Sequence, residues 1–190
     1  MSEEAERLAE QKAREEREAG LVALRILELR FDPIEGNFGA EHLKAVHAYI
    51  FQDLPHHRPG IVRDDTAESW IKRRTLEGSS TVYEVTYASQ GIEAMITKAL
   101  ERFRGPKSIK GLARDAAAVR IAYLYSQLDH AHAFYEGNSQ TLREFTRELA
   151  SEAGYTLDWV RTSVRTKERN ELYVARDLAV LEQAFPDFDA

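Results

Sequence analysis

Cysteine is absent from this chain of 190 residues. Disulfides, thiol nucleophiles and cysteine-ligated metals are thereby excluded, while the redox compartment stays open. No apolar run is long enough to span a bilayer. The first twenty residues, MSEEAERLAEQKAREEREAG, mix acid and base and lack the apolar segment of a secretory signal. An excess of basic charge is missing as well. The net charge of −6 argues against a general binder of nucleic acid or of anionic membranes, and leaves room only for a local basic pocket. Proline and glycine are scarce, at five and ten residues, so where they fall they mark breaks between elements. What is present is 43% hydrophobic residues, enough for a packed core. The expectation is a soluble, cytoplasmic protein that contacts neither nucleic acid nor membrane, with export to another cell left open.

Hydrophobic periodicity divides the chain. Residues 3–30 read as one helix, charged in its first half, with supportive spacings such as Glu3–Arg7 and Glu10–Arg14, and apolar in its second half, GLVALRILELR. Pro33 and Gly36 break it. Leu43, Val46, His47, Ile50 and Leu54 then recur at helical spacing. STVYEVTY alternates with the period of a strand, Val82, Glu84 and Thr86 against Tyr83, Val85 and Tyr87. A short helix, IEAMITKALERF, closes at Gly105-Pro106. A longer one is expected from Lys107 to about Gln127, with Leu112, Ala116, Val119 and Tyr123 on one stripe and Ile121 and Leu124 on a second. Further helices are expected at Ser139–Ala153, capped by Gly154, at Thr156–Val164 and at Lys167–Ala184. The predicted fold class is all-α, a helical bundle with one small β-hairpin. It is divided as an N-terminal helix over 1–30, a core over 31–165 and a C-terminal helical extension over 166–190.

The chemistry concentrates in HAFYEGNSQTLREF, His132 to Phe145. Asn138 stands just before a helix and is suited to cap it. Gly137 ahead of it allows an unusual turn. Together they present free N–H groups and the positive end of a helix dipole, a ready anion site. Arg143, four residues after Ser139, lies on the same helix face. Glu136 offers a hard oxygen ligand for Mg²⁺. His132 is placed to accept a proton from an attacking hydroxyl. Each feature has a plainer reading: a cap, a packed histidine, an arginine paired with Glu144 or Glu148. His130-Ala-His132 lacks a third ligand at metal-binding spacing. His56-His57, beside Arg58, is expected to be solvated. Trp70, Trp159, Tyr83 and Tyr87 are expected to serve packing. No P-loop, Gly-rich dinucleotide turn or Ser/His/Asp triad is present.

The stretch resembles the signature of the Fic family (filamentation induced by cAMP), HxFx(D/E)GNGRxxR. His132, Phe134, Glu136, Gly137, Asn138 and Arg143 are in register, and EGNFGAEHLKAVHAYIFQDL is similar to the family's earlier helix. The resemblance covers about residues 31–165. It implies transfer of AMP from ATP to a hydroxyl side chain (Ser, Thr or Tyr) of a target protein, with release of pyrophosphate. His132 would be the general base and Glu136 the Mg²⁺ ligand. Gly137, Asn138, Ser139 and Gln140 would lie along the anion hole. Arg143 would meet the distal phosphates and Phe134 would bury the loop. Thr81, Val82, Tyr83, Glu84, Val85 and Thr86 would form the flap that holds the target by strand addition.

Two positions depart from the signature. Ser139 replaces a glycine, and Gln140 replaces its first arginine. Loss of one charge-assisted hydrogen bond, worth about 1.5–3 kcal/mol, would weaken nucleotide binding or turnover about tenfold to a hundredfold. The expectation is an adenylyltransferase with its base retained and its phosphate grip loosened. The alternatives are an impaired relative that serves as a binding module, or a transferase of another phosphate-containing group. Family members are often restrained by an (S/T)xxxE(G/N) helix. Ser2 to Glu6 and Ser80 to Glu84 are imperfect matches, so two expectations stay open: restraint by a separate small antitoxin-like protein carrying that sequence, or a Gln140 that makes restraint unnecessary.

Overall fold

The computed structural model describes residues 3–76, 79–162 and 167–186. Among these residues, six helices and one hairpin follow in the order α1 (Glu3–Phe31), α2 (Ala40–Ile50), β1 (Trp70–Thr75), β2 (Val82–Tyr87), α3 (Ile92–Phe103), α4 (Arg114–Ala131), α5 (Asn138–Glu152) and α6 (Lys167–Ala184). The all-α class with one hairpin is thus observed.

The first half of α1 runs exposed, laced by one-turn pairs such as Lys12–Glu16 at 3.8 Å, which at such exposure add little. Its second half docks through Val22 and Leu29, and Arg25 grips Asp53 bidentately at 2.7 and 3.0 Å. Leu43, Val46 and Ile50 of α2 meet the core shared by Leu142, Phe145 and Leu149 of α5 and by Leu124 and Leu128 of α4, all nearly inaccessible. Each such side chain contributes on the order of 2 kcal/mol of burial. Leu54 is buried too, beyond the end of α2.

Three expectations need correction. The helix placed from Lys107 begins only at Arg114, after a 3₁₀ turn at Pro106–Ser108, and continues to Ala131. Its buried stripe is Ala117, Ile121, Leu124, Tyr125 and Leu128, whereas Leu112, Val119 and Tyr123 face solvent. Of the two expected apolar flanks, the one carrying Ile121 and Leu124 is the buried one, because the alanine-rich turns leave the apolar pattern ambiguous. The helix expected at Thr156–Val164 is extended chain followed by a 3₁₀ turn at Val160–Thr162, with 163–164 outside the described residues. Tyr155 explains the break: its hydroxyl donates to the carbonyl oxygens of Ile109 and Leu112, holding this chain down away from a helical path.

β1 and β2 pair antiparallel, Trp70 opposite Tyr87 through Thr75 opposite Val82. β1 escaped the sequence reading because WIKRRT turns Trp70, Lys72 and Arg74 to its sheltered face, so no hydrophobic alternation shows. Val85 and Tyr87 of β2 form a second small core with Val180 of α6. The hairpin is thereby fixed between α6 and the end of α4, where Ala88 N–H bonds the His130 carbonyl at 2.9 Å.

Candidate active site

The site is the turn between α4 and α5. α4 ends on His132, a left-handed C-cap with φ 46° and ψ 56°. Arg63 holds this end. Its guanidinium donates to the carbonyl oxygens of His132 (2.7 Å), Ala131 (3.2 Å) and Ala88, and its own N–H bonds Ala133 O at 2.8 Å. A buried cation on the last carbonyls of a helix satisfies orphan acceptors and complements the dipole. Nothing in the sequence around Arg63 signals this role, since its partners lie 25 to 70 residues away.

α5 begins differently from the expectation. The N-cap is Gly137, at φ 78°, and no side chain caps the first turn. Asn138 is already inside the helix, and its amide turns back to the loop. Oδ1 accepts from Phe134 N–H at 2.9 Å, and Nδ2 donates to Phe134 O at 2.6 Å. Asn138 therefore fixes the loop's shape, and the N–H groups of the helix mouth stay open to an anion. Glycine at 137 is required twice over. The left-handed backbone disfavours other residues, and a Cβ there would fall 2.1 Å from Phe51 Cζ.

Beneath the loop, Phe134 is buried and stacks on His47 with ring centroids 3.8 Å apart. Gly60 N–H donates to His47 Nδ1 at 2.8 Å. Nε2 therefore carries the proton and donates to Glu136 O at 3.1 Å. Burial pushes the pKa of His47 down to about 4, which keeps this tautomer neutral. The sequence placed His47 on a core stripe but gave no hint that it supports the loop.

Above the loop lies the hairpin. His132 is 4% exposed, with the Tyr87 ring 4.3 Å and the Trp70 ring 6.4 Å away. Neither of its ring nitrogens has a hydrogen-bond partner among the described residues. Burial first, then Lys72, Arg63, Arg176 and Arg74, push its pKa down to about 2. A neutral imidazole with unused nitrogens, ringed by cations, is poised for an anionic ligand.

Arg143 sits half-buried with Nε and Nη2 unpartnered and its guanidinium 5.5 Å from the Trp159 ring centre. The pairing with Glu144 or Glu148 does not form; Glu144 takes Arg147, and Glu148 lies between His42 and Arg147. Trp159 also donates to Arg143 O at 3.0 Å, so it has more than a packing role. Glu136 and Gln140 are exposed at the rim. Ser139 accepts a hydrogen bond from Arg176 of α6, a residue that sequence reasoning did not single out. Thr81 to Thr86 lie on or beside β2, where Glu84 pairs with Arg73 at 2.9 Å. His56 and His57 are not simply solvated: both approach Glu18, at 3.3 and 3.7 Å.

Among the described residues, the arrangement defines a helical protein with an open helix mouth, an unpaired cation one turn inside it and a free imidazole beside it. Residues 37–150 match the Fic/DOC family, and the chain belongs to that family. It is 34% identical over 156 residues to the protein adenylyltransferase VbhT of Bartonella schoenbuchensis, covering 82% of this chain and 29% of VbhT. The chain thus spans less than a third of that relative. Among solved structures it is similar to the ADP-bound N-terminal Fic domain of a VirB-translocated Bep effector from Bartonella quintana (TM-score 0.68, 28% identity, 87% of this chain and 76% of that one). It is also similar to BepC of Bartonella tribocorum with bound AMPPNP (TM-score 0.68, 25% identity, 87% and 77%).

Proposed function

We propose that this chain is a protein adenylyltransferase that moves AMP from ATP to a hydroxyl of a target protein. The observation that carries the reading is the buried His132, with both ring nitrogens free, beside the uncapped start of α5. The family membership and the nucleotide-bound relatives support it.

ATP lays its phosphates into the mouth of α5, against the N–H groups of Asn138, Ser139 and Gln140, and Arg143 meets the distal end. The target oxygen attacks the α-phosphorus, its proton passes to His132, the α–β bridging bond breaks and pyrophosphate leaves. Free His132 is a weak base because burial first, and then the cations around it, disfavour its charged form. The phosphates offset those same charges, so binding of the nucleotide raises the basicity of the imidazole at the step that needs it.

Glu136 suits Mg²⁺. Its carboxylate is exposed at the rim and forms no ion pair or hydrogen bond among the described residues. Mg²⁺ held there would neutralise phosphate charge. Target entry requires the hairpin to shift off His132, since Tyr87 covers it. A hairpin edge around Thr81–Thr86 can align an incoming strand by backbone pairing alone. A separate small (S/T)xxxE(G/N) protein that presents its glutamate to Arg143 would supply restraint, since that guanidinium lacks an acidic partner among the described residues.

The test is incubation with cell lysate and ATP labelled at the α- or γ-phosphate. Protein that takes α-label, and loses it in His132→Ala, supports the reading. No label from the parent or from Gln140→Arg leaves a binding module, and γ-label points to transfer of a different group.

A further inference from the structure

The two departures from the family signature lie side by side, Ser139 for glycine and Gln140 for arginine. α6 brings a third residue to the same place. Arg176 projects from α6 with its side chain 9% exposed. Its Nε and Nη2 grip both oxygens of Asp129, three residues before His132, at 2.8 to 3.0 Å. Its Nη1 reaches Ser139 Oγ at 3.3 Å. The rings of Tyr125 and Tyr173 each lie 5.3 Å from the guanidinium.

We propose that Arg176 supplies, from α6, the cation at the mouth of α5 that Gln140 does not provide, and that Ser139 is its docking point. The proposal rests on the nucleotide reading of this site. Its physical basis is the planarity of the guanidinium. Asp129 takes one edge of the fork and fixes its plane, so the Nη1 edge points at the helix mouth with little freedom left to lose on binding. Ser139 accepts one N–H of Nη1, which leaves the second N–H of that nitrogen for a phosphate oxygen. A glycine at 139 would offer no such anchor. Both departures from the signature thus belong to one rearrangement, in which the charge moves from α5 to α6. The side chain of Gln140, exposed at the rim, is then relieved of the phosphate contact, while its backbone N–H stays part of the helix mouth.

The test measures binding of Mg·AMPPNP and of AMP to the full chain by calorimetry, alongside thermal melting. The first variant is the pair Asp129→Asn with Arg176→Gln, which keeps a hydrogen-bonded amide pair and leaves no buried lone charge. It should melt near the parent and bind Mg·AMPPNP at least about tenfold more weakly, while AMP, which lacks the distal phosphates, changes less than about threefold. Adding Gln140→Arg should return most of the lost affinity. Arg176→Lys, which keeps charge and loses the fork, is the second route should the pair not fold, with the same rescue by Gln140→Arg expected. A folded variant that binds Mg·AMPPNP like the parent, or a loss that is equal for AMP and not restored by Gln140→Arg, overturns the role of Arg176 and leaves the nucleotide site standing. A parent that binds no Mg·AMPPNP overturns the reading of the site itself.

Discussion

Two buried histidines flank the same loop and live differently. His47, below it, has both nitrogens engaged, one by Gly60 N–H and one by Glu136 O. His132, above it, has neither nitrogen engaged and lies against Tyr87 and a set of cations. Leaving buried polar atoms unpaired costs about 1–3 kcal/mol. The fold satisfies one imidazole fully and its neighbour not at all. On the proposed function, the lower face of the loop serves shape and the upper face serves chemistry.

Substitution should separate the two faces. His132→Ala should lower transfer by about 10²- to 10⁴-fold, the range for a lost general base, while the melting temperature holds or rises. His47→Ala should do the reverse first, costing about 2–4 kcal/mol in denaturant unfolding by orphaning two backbone groups and opening a cavity. Equal losses of stability in both would erase the contrast. Gly137→Ala should destabilise by about 2 kcal/mol or more and depress transfer too, because the loop must move off Phe51. Adding Phe51→Leu should recover part of the stability and not all, since the positive φ remains strained.

Acid sharpens the same comparison. Both imidazoles are held below their ordinary pKa, at about 4 for His47 and about 2 for His132. The unfolded chain takes up protons below about pH 6.5 while the folded sites stay neutral, so stability falls as pH drops. Each contributes a slope of about 1.4 kcal/mol per pH unit within that window, so that its stabilisation is full above the window and lost on descending through it. For His47 the slope ends near pH 4, and for His132 it continues lower. Unfolding free energies at pH 7.5 and 5.0 should show the decline, and His132→Gln should remove one share of it; an unchanged slope would contradict the buried neutral state. Smallest of all, Gln140→Arg should raise Mg·ATP affinity by up to about tenfold, less than one fresh charge-assisted bond would give, because Arg176 already occupies the region.

Much of this was legible in the sequence because the motif is contiguous. Gly137, Phe134, Arg143 and His132 each stand where the twelve-residue signature puts them, and local rules explain why a glycine and a helix start belong together. Asn138 was misread because capping is the local use of an asparagine, whereas here the amide pairs backward with Phe134. Arg63, His47 and Arg176 were invisible as site residues. They act across 37 to 89 residues of chain, and no periodicity encodes such a meeting. β1 is hidden for a related reason: its sheltered face is basic, with Arg74 paired to Asp177 of α6 and Lys72 over the Tyr87 ring, and such a face does not follow the hydrophobic rule.

The most direct measurement is the imidazole spectrum of ¹⁵N-histidine-labelled protein titrated with Mg·AMPPNP, with signals assigned through His132→Gln and His47→Gln. The account predicts that the His132 nitrogens, unbonded in the free protein, shift markedly on saturation, while those of His47 move little. A titration that saturates without moving His132, or that moves His47 instead, would contradict the claim that the imidazole above the loop faces the nucleotide.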